Sequence, residues 1–263
     1  MSGDRAHVRY KAEGGVGWIT LNRPRVLNAL DSRLAEGLAL AAARAERDPD
    51  AGIVVVSGEG RAFSSGMDRA ALSAGTIDEA FFRRWIEALN RFEDMGKLVV
   101  AAIRGYCIGG GLQLALACDF RLAAADAVLG LGATRHGLIP DGAVLRLARI
   151  VGLGRAKELA LLNDHISAGA AHAMGLVNWI APPAEFDATL ARVIGQCREA
   201  APTATRHTKR ILHESFHVDP RAAIEDVVRA QMECMGSWEM TEANRAWDEK
   251  REARFFPPKE ALP

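Results

Sequence analysis

The sequence lacks the features that define several large classes of protein. No block of basic residues occurs, and 33 Lys and Arg residues balance 33 Asp and Glu residues, which argues against nucleic acid as a partner. No apolar run reaches the roughly 18 residues of a membrane span, and the polar first ten residues contain no signal-peptide core. We therefore expect a cytoplasmic protein that binds neither nucleic acid nor a membrane.

Cysteine is scarce, and its spacing indicates neither a metal site nor a disulfide framework. We expect inert, buried thiols in a reducing compartment and no bound metal. Two tryptophans on predicted helices, Trp85 and Trp247, are expected to be packing groups. The four cysteines are Cys107, Cys118, Cys197 and Cys234.

Apolar runs and charged stretches alternate along the first half of the chain. They predict strands at 16–21, 53–56, 98–103 and 119–123, and helices at 33–46, 77–95 and 112–117. After residues 137–141 the chain is predicted to be mostly helical. Strands that alternate with helices indicate an α/β layered core.

The most informative stretch is Gly109-Gly110-Gly111-Leu112-Gln113, which follows one predicted strand and opens a helical run. Glycine lets the backbone approach a ligand closely, because it has no Cβ. The first N–H groups of a helix have no partner inside the helix and point outwards as donors. The stretch therefore predicts a site for an anion or an oxyanion.

A second glycine turn of the same kind, at residues 61–68, follows the strand predicted at 53–56. Neighbouring parallel strands end at the same edge of a sheet, so both turns are expected to meet there. Two N–H groups aimed at one oxygen form an oxyanion hole. Neither turn fits the GxGxxG or P-loop pattern of nucleotide phosphates. Ser64 and Ser65 have no linked base, which argues against a serine hydrolase triad.

These motifs, taken in order, resemble those of the crotonase (enoyl-CoA hydratase/isomerase) superfamily. The resemblance covers nearly the whole chain and implies an α/β fold with a spiral core of ββα units at 1–200. It also implies a C-terminal helical region at 201–263 that trimerises, giving a homotrimer or a homohexamer. The similar stretches are Asn22-Arg23-Pro24, Asn28-Ala29-Leu30, 62–68, 105–119 and 246–251.

The resemblance also implies an acyl-CoA thioester as substrate, with no cofactor beyond the coenzyme A that the substrate carries. The N–H groups of Met67 and Gly110 would hold the thioester oxygen, flanked by Ser65, Gly66 and Gly109. Two basic residues, Arg25 and Lys250, fall in regions that line the nucleotide site in relatives. A solvated basic side chain is the alternative for each.

The chain departs from the family where hydratases carry two glutamates, because those positions hold Gln113 and Ala133. Glutamine can position a water or a carbonyl by hydrogen bonds, but it exchanges no proton near neutral pH. Alanine can do neither. General acid–base catalysis requires a titratable group within reach of the reacting atom. The sequence therefore argues against water addition by the two-glutamate route.

Asp141, four residues after Gly137, is the remaining carboxylate in this region. The resemblance extends to dienoyl-CoA isomerases and to β-hydroxyisobutyryl-CoA hydrolases, which carry an aspartate in a similar turn. The alternative is an N-cap, because an aspartate before a helical run accepts helix N–H groups. His136, beside Gly137, is a further candidate to face the substrate, or it is a surface or packing residue.

Three functions remain open from the sequence. The leading one is isomerisation of an acyl-CoA double bond, with Asp141 as acid/base and an enolate stabilised at the oxyanion hole. The second is hydrolysis or hydration, with Asp141 activating water. The third is a non-catalytic acyl-CoA binding protein, which the loss of both glutamates motivates.

Overall fold

Two β-sheets form the centre of the molecule. The computed structural model describes residues 6–162 and 165–256. The larger sheet has the order β1-β2-β3-β5-β7-β10, and the smaller has β4-β6-β8-β9. The strands are β1 Val8–Glu13, β2 Val16–Leu21, β3 Ile53–Gly58, β4 Ala62–Ser64, β5 Leu98–Ile103, β6 Tyr106–Ile108, β7 Phe120–Ala124, β8 Val128–Gly130, β9 Ile166–Ser167 and β10 Trp179–Ala181.

Helices flank the sheets and continue beyond them. They are α1 Ser32–Arg47, α2 Arg69–Ser73, α3 Glu79–Asp94, α4 Gly110–Ala117, α5 Leu147–Lys157, α6 Ala168–Ala173, α7 Phe186–Arg198, α8 Pro202–Glu214, α9 Ile224–Met235 and α10 Trp238–Asp248. Two of the long helices, α1 and α3, have an aspartate as their N-cap. Asp31 accepts the N–H of Leu34 and Asp78 accepts that of Phe81, each at 2.8 Å.

Strand pairs followed by helices repeat along the core. In the pairs β3/β4, β5/β6 and β7/β8, the first strand lies in the larger sheet and the second in the smaller. β3 pairs with β5 in parallel, and β4 pairs with β6 in parallel. The residues of β3 from Ile53 to Val56 are at most 1% exposed, as a β-branched run covered on both faces requires.

The C-terminal helices begin at Pro202, next to the domain boundary predicted near residue 200. A buried ion pair joins α8 to the larger sheet. The Lys209 ammonium donates to Asp119 Oδ2 at 2.9 Å and to the carbonyl oxygens of Phe92 and Lys97 at 3.0 and 3.1 Å. Asp119 Oδ2 also accepts the N–H of Val99 at 2.7 Å. Asp119 thus links a strand to a helix.

The predicted strands and helices of the first half are all present, with ends shifted by at most a few residues. β1 lies outside the predicted strands, although its alternation of Val8, Tyr10 and Ala12 with charged residues is typical of an edge strand. The mostly helical second half is confirmed, and it also contributes the short strands β9 and β10.

The two tryptophans differ. Trp85 is 2% exposed, as predicted for a packing group, whereas Trp247 is 84% exposed, so its predicted packing role is wrong within this chain.

Candidate active site

A cavity with a volume of about 1210 Å³ lies over the ends of β4 and β6. Apolar groups of α2 and α3 and of the loop after β8 form most of its walls. Nine of the predicted site residues line it: Ser65, Gly66, Met67, Gly109, Gly110, Gln113, Ala133, His136 and Asp141.

The two glycine turns contact each other at this cavity. A Cβ added to Gly66, whose φ is +89°, would lie 3.0 Å from the carbonyl oxygen of Ile108 and 3.5 Å from the nitrogen of Gly110. Gly109 has φ +54° and ψ −118°, a conformation that only glycine adopts readily. The expected meeting of the two turns is therefore observed.

Hydrogen bonds hold the first turn and leave one donor pointing outwards. The Leu30 N–H donates to the carbonyl oxygen of Gly66, and the Asp68 N–H donates to that of Leu30. Ser64 Oγ donates to the carbonyl oxygen of Asn28 and accepts the N–H of Gly66, so its hydroxyl is committed to structure. The Met67 N–H donates to no other backbone group of the described residues.

The second turn provides a matching donor. Gly110 is the first residue of α4, so its N–H has no acceptor within the helix. A Cβ at Gly110 would lie 2.0 Å from Leu30 Cδ1, so a larger residue here would require the buried Leu30 side chain to move. Main-chain donors from two adjoining turns, both at one cavity, can bind a single carbonyl oxygen and stabilise negative charge on it.

Gln113, one helical turn further along α4, is buried and held by two donors. Its Oε1 accepts the indole N–H of Trp85 at 2.8 Å and the backbone N–H of Gly142 at 3.3 Å. A Cβ on Gly142 would lie 2.8 Å from this same oxygen, so the close approach of the two segments depends on glycine.

Asp141 is half-buried at the cavity wall. Burial raises the pKa of its carboxyl above the ordinary range, and hydrogen bonding from the Gly142 N–H and the Gln113 amide acts in the opposite direction. Its Oδ2 is buried and has no hydrogen-bond partner in the described part of the chain. The nearest following helix, α5, begins only at Leu147 with Arg146 as its N-cap residue, so Asp141 does not cap it.

Three polar residues of α3 that the sequence did not single out also line the cavity: Arg83, Glu87 and Asn90. Glu87 is largely solvated, with 68% of its side chain exposed and Arg91 at 3.8 Å. Asn90 Oδ1 accepts from Arg146 at 2.6 Å, so the amide nitrogen is the end of the side chain that remains as a donor. The signal in the sequence is their spacing, because Arg83, Glu87 and Asn90 lie one turn apart on α3.

Other polar residues near the predicted motifs are exposed at the surface or stabilise the local fold. Arg25 and Lys250 are exposed and do not line this cavity. Asp68 caps α2 by accepting the N–H groups of Ala70 and Ala71, and it pairs with Arg23 at 3.0 Å.

Cysteine burial follows the prediction at three of four positions. Cys107, Cys118 and Cys197 are buried, and burial raises the pKa of Cys118 to about 12 and of Cys197 to about 11. Cys234 is half-buried. Within residues 6–162 and 165–256 no cluster of three or more His, Cys, Asp or Glu side chains is arranged to hold a metal.

The fold and the paired main-chain donors define a class of enzyme that polarises a carbonyl oxygen. Residues 11–257 match the model of the enoyl-CoA hydratase/isomerase family. The chain belongs to this family, the crotonase superfamily, whose members act on acyl-CoA thioesters.

Curated relatives agree with this assignment. The chain is 31% identical to a short-chain-enoyl-CoA hydratase of Clostridium acetobutylicum over 254 residues, covering 95% of this chain and 97% of the relative. It is 32% identical to a crotonyl-CoA hydratase of Syntrophomonas wolfei over 240 residues, covering 90% and 92%.

Solved structures match the fold. An enoyl-CoA hydratase from Bacillus anthracis superposes with a TM-score of 0.87 at 29% identity, covering 95% of this chain and 98% of that one. One from Polaromonas superposes with a TM-score of 0.86 at 28% identity, covering 94% and 98%. The expected α/β crotonase fold with C-terminal helices is confirmed.

Proposed function

We propose that this enzyme moves a double bond along an unsaturated acyl-CoA, with Asp141 as the acid/base. The observation that carries the proposal is the pairing of one half-buried carboxyl with a main-chain oxyanion site in the same cavity. Gln113 and Ala133 exchange no proton, so the chemistry falls to a carboxylate. One carboxylate suffices for a reaction that removes a proton at one carbon and returns it at another.

The reaction balances without any other reactant. The ionised carboxylate removes a proton from C2 of a 3-enoyl thioester, and the electron pair delocalises over C2, C3 and C4 and onto the thioester oxygen. The N–H groups of Met67 and Gly110 stabilise the negative charge on that oxygen. Asp141 then returns the same proton to C4, so that the double bond lies between C2 and C3.

Replacement of Asp141 by asparagine tests the proposal. The asparagine amide keeps the size of the side chain but accepts and releases no proton, so kcat is expected to fall by about 100-fold or more, with a smaller change in KM. Turnover is measured by chromatography and mass spectrometry on a panel of 2-enoyl-, 3-enoyl- and dienoyl-CoA thioesters.

Glu87 provides the comparison, because it is the other carboxylate that lines the cavity. Glu87→Gln is expected to reduce kcat much less than Asp141→Asn, since its solvated side chain lies at the mouth. Undiminished turnover of Asp141→Asn, or a larger loss in Glu87→Gln, would overturn the assignment of Asp141.

Hydration is the second candidate, and the names of the relatives favour it. Both curated relatives described above are hydratases. In this reading Asp141 activates a water that adds to C3 of a 2-enoyl-CoA. The two candidates differ in the mass of the product, because hydration adds one water and isomerisation adds none. A hydroxyacyl-CoA product that disappears in Asp141→Asn establishes hydration instead.

The remaining assignments rest on the family resemblance. We propose that Arg25 and Lys250 bind the phosphates of coenzyme A, that the substrate supplies the only cofactor, and that the enzyme works in the cytoplasm as a homotrimer or homohexamer. Ser65, Gly66, Gly109, Ala133 and His136 would contact the acyl-CoA. No helix in the described part of the chain has both the length and the apolar character needed to cross a membrane.

A further inference from the structure

A chain of contacts connects the core to the candidate acid/base. Trp85 lies on α3 and is 2% exposed, and Gln113 lies on α4 and is 5% exposed. The indole N–H donates to Gln113 Oε1 at 2.8 Å, and the Gly142 N–H donates to the same oxygen at 3.3 Å. Gly142 directly follows Asp141, so the Gln113 side chain lies against the segment that carries the candidate acid/base, and the Gln113 amide acts to lower the pKa of the Asp141 carboxyl.

The chemistry of the partners fixes the orientation of the Gln113 amide. An indole nitrogen and a backbone nitrogen are donors only, so the group that faces them is the oxygen of the amide. The NH₂ end is therefore directed away from Trp85. The NH₂ group is thus the end of the amide that can donate to the Asp141 carboxyl, and the Gln113 side chain acts to lower the pKa of that carboxyl.

The two oxygens of Asp141 differ in their surroundings. Oδ2 is buried without a partner in good hydrogen-bond geometry. Oδ1 is not one of the buried atoms without a partner, and the residue as a whole lines the cavity. A donor on the protein side is thus required whenever the carboxyl ionises, because an unpaired buried charge is strongly destabilised.

We infer that Trp85 and Gln113 are positioning residues for Asp141: the indole fixes the glutamine amide, and the amide supports the carboxyl when it ionises. This inference rests on the proposed role of Asp141 and names the groups that make that role possible. It also gives a reason for the neutral residue at position 113. A glutamate there would keep the bonds from Trp85 and Gly142 but would place a second carboxylate against Asp141, and two adjacent carboxyls do not both ionise.

No ion pair is among the causes that act on the pKa of the Asp141 carboxyl. Burial and hydrogen bonds are the causes that act on the pKa of Asp141, and no charged group contributes. Charged and titratable side chains that line the cavity come from α2, α3 and the turn before Gly137. They are Arg69, Arg83, Glu87 and His136. Arg146, on the segment after Asp141, is paired with Glu93 at 2.5 Å.

The test is an NMR titration of Asp141 in protein labelled with ¹³C at the aspartate carboxyls, with the signal assigned by its absence in Asp141→Asn. Removal of the amide in Gln113→Leu is expected to move the titration midpoint upwards by about one pH unit. Trp85→Phe, which removes only the indole N–H, is expected to move it upwards by less. Gln113→Glu is expected to give two coupled steps, with the upper one at the highest pH of the series.

Trp247→Phe is the matched control, because it makes the same substitution at an exposed indole outside this network, and its midpoint is expected to equal that of the wild type. Unchanged midpoints in Trp85→Phe and Gln113→Leu would overturn the inference. If Gln113→Leu fails to fold, Trp85→Phe alone decides the question.

Kinetics separate this inference from the proposed function. The acidic limb of the kcat/KM profile is expected to follow the NMR midpoint in each variant, whereas a purely structural role would alter KM or thermal stability and leave the limb in place. Full turnover in Asp141→Asn would overturn the proposed function, and the NMR titration midpoints would still stand. If the midpoints are the same in all variants and Asp141→Asn is inactive, the inference about Trp85 and Gln113 is overturned and the proposed function is kept.

Discussion

At the scale of single residues, Gly66 decides whether the two turns can contact. Its positive φ and the carbonyl oxygen of Ile108 at 3.0 Å from an added Cβ leave no room for a side chain. We expect Gly66→Ala to displace the Met67 N–H and to lower kcat by about 100-fold, the usual effect of losing one oxyanion donor. Steady-state kinetics on the thioester of the panel that the wild type turns over measures the loss.

Gly75 is the matched control for this substitution. It also has a positive φ, of +67°, but a Cβ there would contact nothing within 4 Å. Gly75→Ala therefore introduces similar backbone strain without touching the turn, and it is expected to retain kcat. Equal losses in the two variants would show that strain, rather than the oxyanion donor, is responsible.

The ionised carboxyl of Asp141 is expected to lower the stability of the folded protein. Burial raises the pKa of its carboxyl in the folded state, so folding favours the protonated form, and this contribution to stability is lost as the pH rises through that pKa. Asp141→Asn is therefore expected to raise Tm at pH 7. The gain is a few degrees at most, since about 1 kcal/mol corresponds to roughly 2–4 °C in a domain of this size.

Thermal unfolding followed by circular dichroism at pH 4, 5.5 and 7 checks this expectation. The difference between Asp141→Asn and the wild type should shrink towards acid pH, where the native carboxyl is protonated. A difference that is constant across this range would contradict it.

The sequence identifies some of these residues and not others. Gly110, Gln113 and Asp141 are recognisable from glycine spacing and from the change of residue at the glutamate positions. The link from Trp85 to Gln113 is not, because the two residues are 28 positions apart and meet only when α3 packs on α4. Asn90 and Glu87 were missed for the same reason, since a polar residue on an amphipathic helix resembles any solvated face.

At the scale of elements, the Lys209–Asp119 pair attaches α8 to the strands of the larger sheet. Side-chain exposures of 6% and 12% make it a buried pair. Lys209→Met is expected to leave the Asp119 carboxylate unpaired and to lower the free energy of unfolding by about 3–5 kcal/mol. Urea denaturation measures the change.

The double variant Lys209→Met/Asp119→Asn removes the stranded charge and is expected to recover a large part of the loss. Arg83→Met, which breaks an exposed i,i+4 pair with Glu79 on α3, is the control and is expected to change stability by less than about 1 kcal/mol. A loss in Lys209→Met no larger than in this control would contradict the role given to the pair.

Long elements were predictable because their patterns are strong. β3 and β5 are continuous apolar runs, and α3 is amphipathic with an aspartate at its start. β4, β6 and β8 have three residues each, too few for a period to appear, and their pairing in a second sheet depends on the long-range stacking of strand pairs.

At the scale of the whole molecule, α9 and α10 present an apolar surface. Side chains one turn apart on α9 are between 51% and 59% exposed: Ile224, Val228, Met232 and Met235. Monomers rarely expose a large contiguous apolar patch. Together with the family resemblance, this predicts that the patch is buried between copies of the chain.

Light scattering after size-exclusion chromatography tests this prediction. The wild type is expected at three or six times the chain mass of 28.3 kDa. Met232→Glu is expected to reduce the assembly to smaller species, because it places a charge within the contact. Leu40→Glu, at a 66% exposed position on α1, is expected to leave the assembly unchanged. A monomeric wild type would contradict the prediction.

The proposed oxyanion donors are main-chain groups, whereas the proposed acid/base is a side chain. Substitutions at most positions of the cavity leave the N–H groups of Met67 and Gly110 where they are, provided that Gly66 and Gly109 are kept. The residues around Asp141 can therefore be varied in search of new reactions, while the N–H groups that bind the thioester oxygen stay in place. A library of variants at Gln113, Ala133 and Asn90 would test which reactions the same enolate can undergo. The main-chain donors that bind the thioester oxygen would be the same in every variant.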